Sequence, residues 1–302
     1  MDLKQLKHFV AIVDNGTLLA AAEVIPISQP ALSRSLQNLE ASLGVTLLER
    51  STRGIQITAA GERLYRRAKL ILSESKKAVA EAQAQEPDFT LNIGMAPMFA
   101  GQVLPEALRA LTAENPDIKM RVTSGLFDDL IKSVSSGEID IMVSNLPFTD
   151  IPDDLHVVPL LDITIEYVVS SDHPLSTRRS LSFKDLSAYP WAVVDEQHAN
   201  DLYQYIFTSE GETSSPIALK TNSLTLLRSM ISQPPFITLL PRHMVEHNIA
   251  AGQLSILNIG QDRLKRKGGL VYRKNDIPNP ALNKLLETLK RTMGSSLFGR
   301  DD

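Results

Sequence analysis

Apolar residues in the first 60 positions recur at helical spacing, and beyond residue 90 they give way to short runs separated by turns. Leu3, Leu6, Phe9, Val10 and Val13 share one face, which predicts an opening helix over residues 3–13 with that stripe packed inward. Gly16 and Thr17 open a second helix, with the Thr17 hydroxyl placed to cap it and Ala20, Ala21 and Ala22 giving it a smooth surface. Pro26 cannot continue that helix; Ser28 then caps a third, with Pro30 in its first turn. Leu32, Leu36, Leu39 and Leu43 are spaced 4, 3 and 4 apart, so the third helix, Gln29 to Leu43, turns them inward. A short basic hairpin with Arg50 and Arg53 follows. The segment 16–61 therefore reads as helix, tight turn, helix and hairpin.

The polar residues of the third helix carry the chemistry. Gln29, Ser33, Arg34 and Asn38 are left on its outer or N-terminal side, and these side chains donate to and accept from base edges and phosphates in a major groove. Residues 58–86 predict one long helix with Thr58 as N-cap and Gly61 tolerated early. Tyr65, Leu72 and Val79 recur every seven positions, as do Ala68, Ser75 and Ala82 between them. That is an a/d seam, and it reads either as an amphipathic helix packed on its own domain or as a surface that a second helix approaches closely. From Phe89 strands and helices alternate, which predicts a parallel sheet with right-handed crossovers. Strands are expected at TLNIGMA, IKMRVTS, IDIMVSN, TIEYVVSS, WAVVD, IALKT, FITLLP, LSILNI and GGLVYRK, with a last helix from Asn279 to Met293.

The strings FVAIVDNGTLLAAA, SQPALSRSLQNLE, LGVTLLER and ITAAG, in order and without gaps, resemble the winged helix-turn-helix domain of the LysR-type transcriptional regulators. The resemblance implies an α/β protein with an N-terminal all-α winged helix-turn-helix and a C-terminal two-lobed α/β domain similar to type 2 periplasmic solute-binding proteins. Residues 1–58 correspond to the DNA-binding domain, 59–87 to a linker helix that pairs two chains, and 88–302 to an effector-binding domain. Lobe I takes 88–161 and 268–302 and lobe II takes 162–267, with crossings near Leu160–Ile163 and Arg266–Gly269. The implied DNA-binding set is Thr17, Ser28, Gln29, Pro30, Ser33, Arg34, Asn38, Arg50 and Arg53. Implied partners are double-stranded DNA bearing an inverted repeat, a small-molecule effector, a second copy in a dimer or tetramer, and RNA polymerase.

Charge refines this picture. The net charge of the 302 residues is −4. Of the 31 Lys and Arg and 35 Asp and Glu, 11 and 9 fall in residues 1–86, leaving 20 and 26 beyond. Placed cations such as Arg34, Arg50 and Arg53, rather than bulk charge, must meet the phosphates. Cysteine is absent, so disulfides, thiolate metal sites and thiol redox sensing are excluded. No apolar run approaches the roughly 20 residues that cross a bilayer, and MDLKQLKHFV lacks a signal-peptide core. A cytoplasmic protein without a membrane partner is the expectation.

Ligands in open parallel sheets bind at strand carboxyl ends, where helix N-termini present unpaired N–H groups. In the first lobe this nominates Pro97, Met98, Phe99, Ala100, Ser124, Gly125, Leu126, Ser144 and Asn145, and in the second His198, Asn200, Thr221 and Phe236. The LysR-type resemblance places the effector in the same cleft. Two departures make it more apolar: the first loop reads MAPMFA, without a hydroxyl, and SQPPF replaces a glycine-rich turn. An aromatic or aliphatic body held by a few polar groups, such as an aromatic or other organic acid, fits that lining. Nucleotide-binding glycine loops and a nucleophile elbow are missing from the sequence, so no enzymatic activity and no cofactor are expected. His243 and His247 have metal-ligand spacing but no acidic partner placed between them in the zinc-protease H-E-x-x-H manner, and read as a surface helix.

Overall fold

The computed structural model describes all residues except 52–53, 84–89, 102, 147–150, 196, 210–215, 260–263, 275–279 and 298–302. Helix α1 (Leu3–Asn15) opens with a reciprocal capping box. The Asp2 carboxylate accepts the Gln5 N–H at 2.7 Å, and the Gln5 side chain accepts the Asp2 N–H at 3.0 Å. Helix α2 (Leu18–Val24) is capped by Thr17, whose hydroxyl accepts the Ala20 N–H at 3.1 Å. Helix α3 (Gln29–Leu43) has Ser28 at its N-cap, but the hydroxyl makes no cap bond, contrary to the sequence expectation. Leu32 and Leu39 are fully buried with Leu6, Phe9 and Ile12, and Leu36 packs against them. Leu43 does not turn inward; it is 38% exposed in the last turn, where the helix runs past its core.

Strands β1 (Leu48–Ser51) and β2 (Gly54–Ile57) form the antiparallel hairpin, Leu48 opposite Ile57. Its orientation is set by Glu40 on α3, whose carboxylate accepts the N–H groups of Leu47 at 2.7 Å and Leu48 at 3.2 Å. Helix α4 (Ala59–Gln83) follows, with the Thr58 hydroxyl accepting the Gly61 N–H at 3.0 Å. Ala68 is fully buried in the N-terminal core, and Tyr65 and Leu72 pack against that core beside α1. The proposed seam is thereby corrected: Ala68 is out of reach of a second chain, because the first half of α4 covers its own domain. Ile71, Val79 and Ala82 are exposed and Ser75 is half-buried.

The C-terminal part begins with β3 (Thr90–Met95), a 3-10 turn at Pro97–Phe99, α5 (Val103–Glu114), β4 (Lys119–Ser124), α6 (Phe127–Ser135) and β5 (Ile141–Leu146). β5, β3 and β4 are parallel neighbours. Then come β6 (Leu155–Ser170), α7 (Phe183–Ser187), β7 (Trp191–Val194), α8 (Gln197–Ser209), β8 (Ile217–Thr221) and α9 (Leu224–Ile231). The chain closes with β9 (Thr238–Pro241), α10 (Arg242–Ala250), β10 (Leu254–Leu257), β11 (Leu264–Arg273) and α11 (Pro280–Leu297). One curled seven-stranded sheet has the order β10-β6-β11-β5-β3-β4, with β9 also paired to β6, while β7 and β8 form a separate parallel pair.

β6 starts at Leu155, before the expected TIEYVVSS, because Pro159 interrupts the apolar run that would reveal it. It pairs antiparallel with β11 along the whole length of the latter, so the two lobes share a continuous ribbon. The register slips between Gly268 and Gly269, where Gly269 faces Pro159. α11 packs on α5, returning the chain to the first lobe. One core joins the lobes, with Leu91, Ile93 and Phe99 in the same cluster as Ile163, Tyr167 and Trp191.

Candidate functional site

Two surfaces stand out, the polar face of α3 and the cleft between the lobes. Gln29, Pro30, Arg34 and Asn38 are exposed on α3, as are Thr17 and Ser28 at helix N-caps. Ser33 is half-buried and borders a hollow between α3 and the hairpin, with Leu18, Leu36 and Ile55. Burial of Leu32 and Leu39 fixes the rotation of the helix, and the exposed polar side chains follow from it. The Arg50 side chain and Arg53 lie outside the described residues.

The cleft encloses about 810 Å³ when its space open to solvent is counted. Its lobe I wall is Ala96, Pro97, Met98, Leu126 and Asn145. The opposite wall is Val194, Leu202, Tyr203, Asn222, Leu224 and Met244, and the floor is Ile165, Leu239, Leu240, Pro241 and Arg266. Four nominated residues, Pro97, Met98, Leu126 and Asn145, are therefore brought together. Among the described side chains the other nominated residues are not in the lining: Phe99 is fully buried in the core, Ala100 and Ser124 are exposed, and Gly125 packs near Leu130. Ser144 is buried and donates to the Asn145 side chain at 3.2 Å. Thr221 gives way to its neighbour Asn222, and Phe236 packs into a core behind β9. The side chains of His198 and Asn200 lie outside the described residues.

Arg266 escaped the sequence reading because it sits in the basic run LKRK. Strand alternation exposes it: Lys265 and Lys267 point to solvent while Arg266 is 7% exposed. Exposed Lys267 instead pairs with Asp162 at 2.8 Å beside the bulge, and that hydrogen bond lowers the Asp162 pKa. Tyr203 is the other buried polar group of the cleft. Burial pushes its phenol up to about 12, with its approach to Thr238 and the Leu239 backbone offsetting part of the rise. At neutral pH it is an uncharged hydroxyl. His247 is exposed, as the surface-helix reading expects, whereas His243 is half-buried on α10 and donates from Nε2 to the Met98 carbonyl at 3.1 Å, joining the two walls. Among the described residues no three His, Asp or Glu side chains converge to hold a metal.

A helix-turn-helix with an exposed polar face, joined by a long helix to a two-lobed domain with an apolar cleft, defines a ligand-responsive DNA-binding regulator. Residues 3–62 match the bacterial regulatory helix-turn-helix protein, lysR family, and residues 84–294 match the LysR substrate binding domain. The chain belongs to the LysR family of transcriptional regulators, which are DNA-binding proteins and not enzymes. It is 29% identical over 291 residues to the SDS degradation transcriptional activation protein of Pseudomonas sp. (strain ATCC 19151), covering 93% of this chain and 92% of that one. It is 27% identical over 295 residues to the DNA-binding transcriptional dual regulator OxyR of Escherichia coli K12, covering 97% and 96%. Among solved structures, the Corynebacterium glutamicum OxyR C206 mutant aligns with a TM-score of 0.57 at 27% identity, covering 98% of this chain and 94% of that one. Full-length CbnR complexed with its target DNA shares the fold, with a TM-score of 0.59 at 24% identity over 97% and 100% of the two chains. No helix among the described residues is long and apolar enough to cross a membrane.

Proposed function

We propose that this regulator is a cytoplasmic homo-oligomer, a dimer or a tetramer built from two dimers, that reads an inverted repeat with α3 and answers to an apolar-bodied organic acid held between its lobes. The observation that carries the DNA half is the division of α3 into a buried leucine side and an exposed face bearing Gln29, Arg34 and Asn38. Gln29 and Arg34 contact base edges, with Ser33 and the hairpin arginines Arg50 and Arg53 contributing at the adjacent backbone. Arg34→Ala is expected to weaken binding to the operator by roughly 1–3 kcal/mol and to relax base preference at one position. Unchanged affinity and footprint would contradict this assignment.

The effector class is argued from the cleft lining. Apolar side chains dominate both walls, and one buried guanidinium, Arg266, is the cation on the floor. Such a site favours a hydrophobic body with a single acidic headgroup. A thiol-based response is closed to a chain without cysteine, which favours a signal that is bound in the cleft. Octanoate and benzoate are suitable probes, read through Trp191, the single tryptophan, whose ring meets that of Tyr203 edge-on at 6.0 Å. Arg266→Met is expected to weaken acid binding roughly 10- to 100-fold, the worth of charged hydrogen bonds. If the corresponding alcohols bind as tightly as the acids, the headgroup assignment fails.

Pairing of chains is assigned to the exposed part of α4, with Val79 at its centre and Ser75 and Ala82 beside it; Tyr65 and Leu72 contribute what their own domain leaves uncovered. Val79 is 53% exposed and Ile71 40%. The Ile71→Asp, Val79→Asp double variant is expected to sediment as a monomer while retaining its melting temperature. An unaltered sedimentation profile would exclude this seam. RNA polymerase is the downstream partner on this reading.

A further inference from the structure

We infer that a polar joint centred on Asp140 transmits the state of the cleft to helix α4, and thereby to the DNA-binding domain. This rests on the reading that the cleft receives an effector. Asp140 is buried at the start of β5, at the end of the strand away from the cleft. Its Oδ1 accepts a hydrogen bond from Lys77 Nζ of α4 at 2.8 Å. Its Oδ2 accepts the backbone N–H of Asn92 at 2.8 Å and the Asn92 side-chain amide at 3.2 Å, both from β3. Arg273, the last residue of β11, is also buried, with its guanidinium 3.8 Å from the same carboxylate and a second bond at 2.8 Å to the Ile139 carbonyl.

The same face of α4 is fastened twice more. Ser73 donates to the Gly137 carbonyl at 2.8 Å, and Lys69 lies 3.4 Å from Glu138. Gly137 has φ +76, and an added Cβ there would fall 2.8 Å from Leu70 of α4, so the turn between α6 and β5 is shaped to admit the helix. Burial alone lowers the affinity of Lys77 for its proton, but Asp140, then Glu74, outweigh it, and the ammonium is held charged.

What makes this a joint rather than a mere contact is where the three strands lead. β3 runs from Asn92 to Ala96, Pro97 and Met98 in the cleft wall; β5 runs from Asp140 to Asn145; β11 runs from Arg266 on the cleft floor to Arg273. Each strand therefore leads to the cleft at one end and to the Asp140 cluster at the other, roughly 13–23 Å away. Hydrogen-bonded neighbouring strands move as a unit, so a change in lobe closure that shifts or tilts them displaces the buried carboxylate to which Lys77 of α4 is tied. A ligand that favours one lobe arrangement thereby biases the angle of α4.

The absence of cysteine allows a direct test in the full-length protein. Lys76→Cys on α4 and Lys132→Cys on α6 carry a spin-label pair, with labelled chains diluted into unlabelled ones so that only distances within one chain are read. A single narrow distance is expected, and Asn145→Trp, which fills the cleft, is expected to move it by about 2 Å. Lys77→Met or Asp140→Asn is expected to broaden the distribution and to abolish that movement. Should Asp140→Asn fail to fold, Lys77→Met decides, because its side chain is half-exposed and lobe I keeps its own bonds. A wild-type distribution in Lys77→Met, or an undiminished response to Asn145→Trp in that background, overturns the joint. Octanoate on the same labelled chain separates the two claims. If Asn145→Trp moves the labels and octanoate neither binds nor moves them, the joint stands and the acid-effector reading falls. If octanoate binds but neither it nor Asn145→Trp moves the labels, the joint falls and the effector reading stands.

Discussion

Gly61→Val is expected to cost the N-terminal domain about 3 kcal/mol, from overpacking against a backbone that cannot yield. A Cβ at position 61 would lie 2.2 Å from the Leu47 carbonyl oxygen and 2.7 Å from Ile57 Cγ1. That carbonyl is not free to move: it accepts the Thr58 N–H at 2.9 Å and the Thr58 hydroxyl at 3.1 Å, and the Leu47 N–H is held by Glu40. Relief therefore requires α4 to separate from the hairpin, which breaks the Thr58 contacts and moves the hairpin relative to α3. Gly61→Ala sharpens the test because two effects oppose. Helix propensity alone favours alanine by about 1 kcal/mol, whereas the clash costs more, leaving a net loss of about 2 kcal/mol by the same overpacking scale. The first transition of a far-ultraviolet circular dichroism melt should fall by about 10 °C for Ala and further for Val. A higher melting temperature for Gly61→Ala would show that propensity, not close approach, governs the site.

The sequence reading of this glycine as merely tolerated shows where one-dimensional patterns run out. The leucine spacing of α3 and the Thr17 cap were legible because each follows from residues within one or two helical turns. So were Pro97, Met98, Leu126 and Asn145, since the strand-end rule needs only the strand boundaries. The reason for Gly61 lies in a carbonyl 14 positions away, which no local spacing records. The opposite cleft wall was missed for the same cause: Leu202, Leu224 and Met244 look like ordinary stripe residues of three separate helices, and only the ribbon of β6 and β11 brings them to face lobe I. Ala68 fitted a heptad equally well as a core residue or a pairing residue, and the packing of α1 decided it. Asp140, between two isoleucines at a strand start, carried no signal of the lysine on a helix 63 positions earlier.

Trp191→Ala is expected to lower the stability of the effector domain by about 4 kcal/mol, the largest effect of any single truncation proposed for this chain. The indole is fully buried, with Phe207 at 5.0 Å, Tyr203 at 6.0 Å, Tyr167 at 6.1 Å and Phe183 at 6.2 Å between ring centroids. Its Nε1–H donates to the Leu186 carbonyl at 3.2 Å, so truncation leaves a cavity and that carbonyl keeps only its bond from the Tyr189 N–H. Trp191 also bridges to Ile237, next to β9, which locates the cavity at the seam between the β7–β8 pair and the rest of lobe II. Tyr203 lines the cleft and leans on this indole, so the ligand wall should loosen with it. Leu32, Leu39 and the α1 residues Leu6, Phe9 and Val10 belong to a different cluster, and only Leu3 of the expected stripe is left outside it, 48% exposed; the DNA-binding domain should keep its own melting transition. The expected signature is therefore selective: binding of octanoate and its influence on DNA are lost, while ligand-free DNA binding persists. Trp191→Phe, which keeps most of the ring contacts, should recover over half of the lost stability. Loss of DNA binding together with ligand binding in Trp191→Ala would mean that the two domains fold as one unit, and a wild-type melting profile would mean that the aromatic cluster does not hold lobe II together.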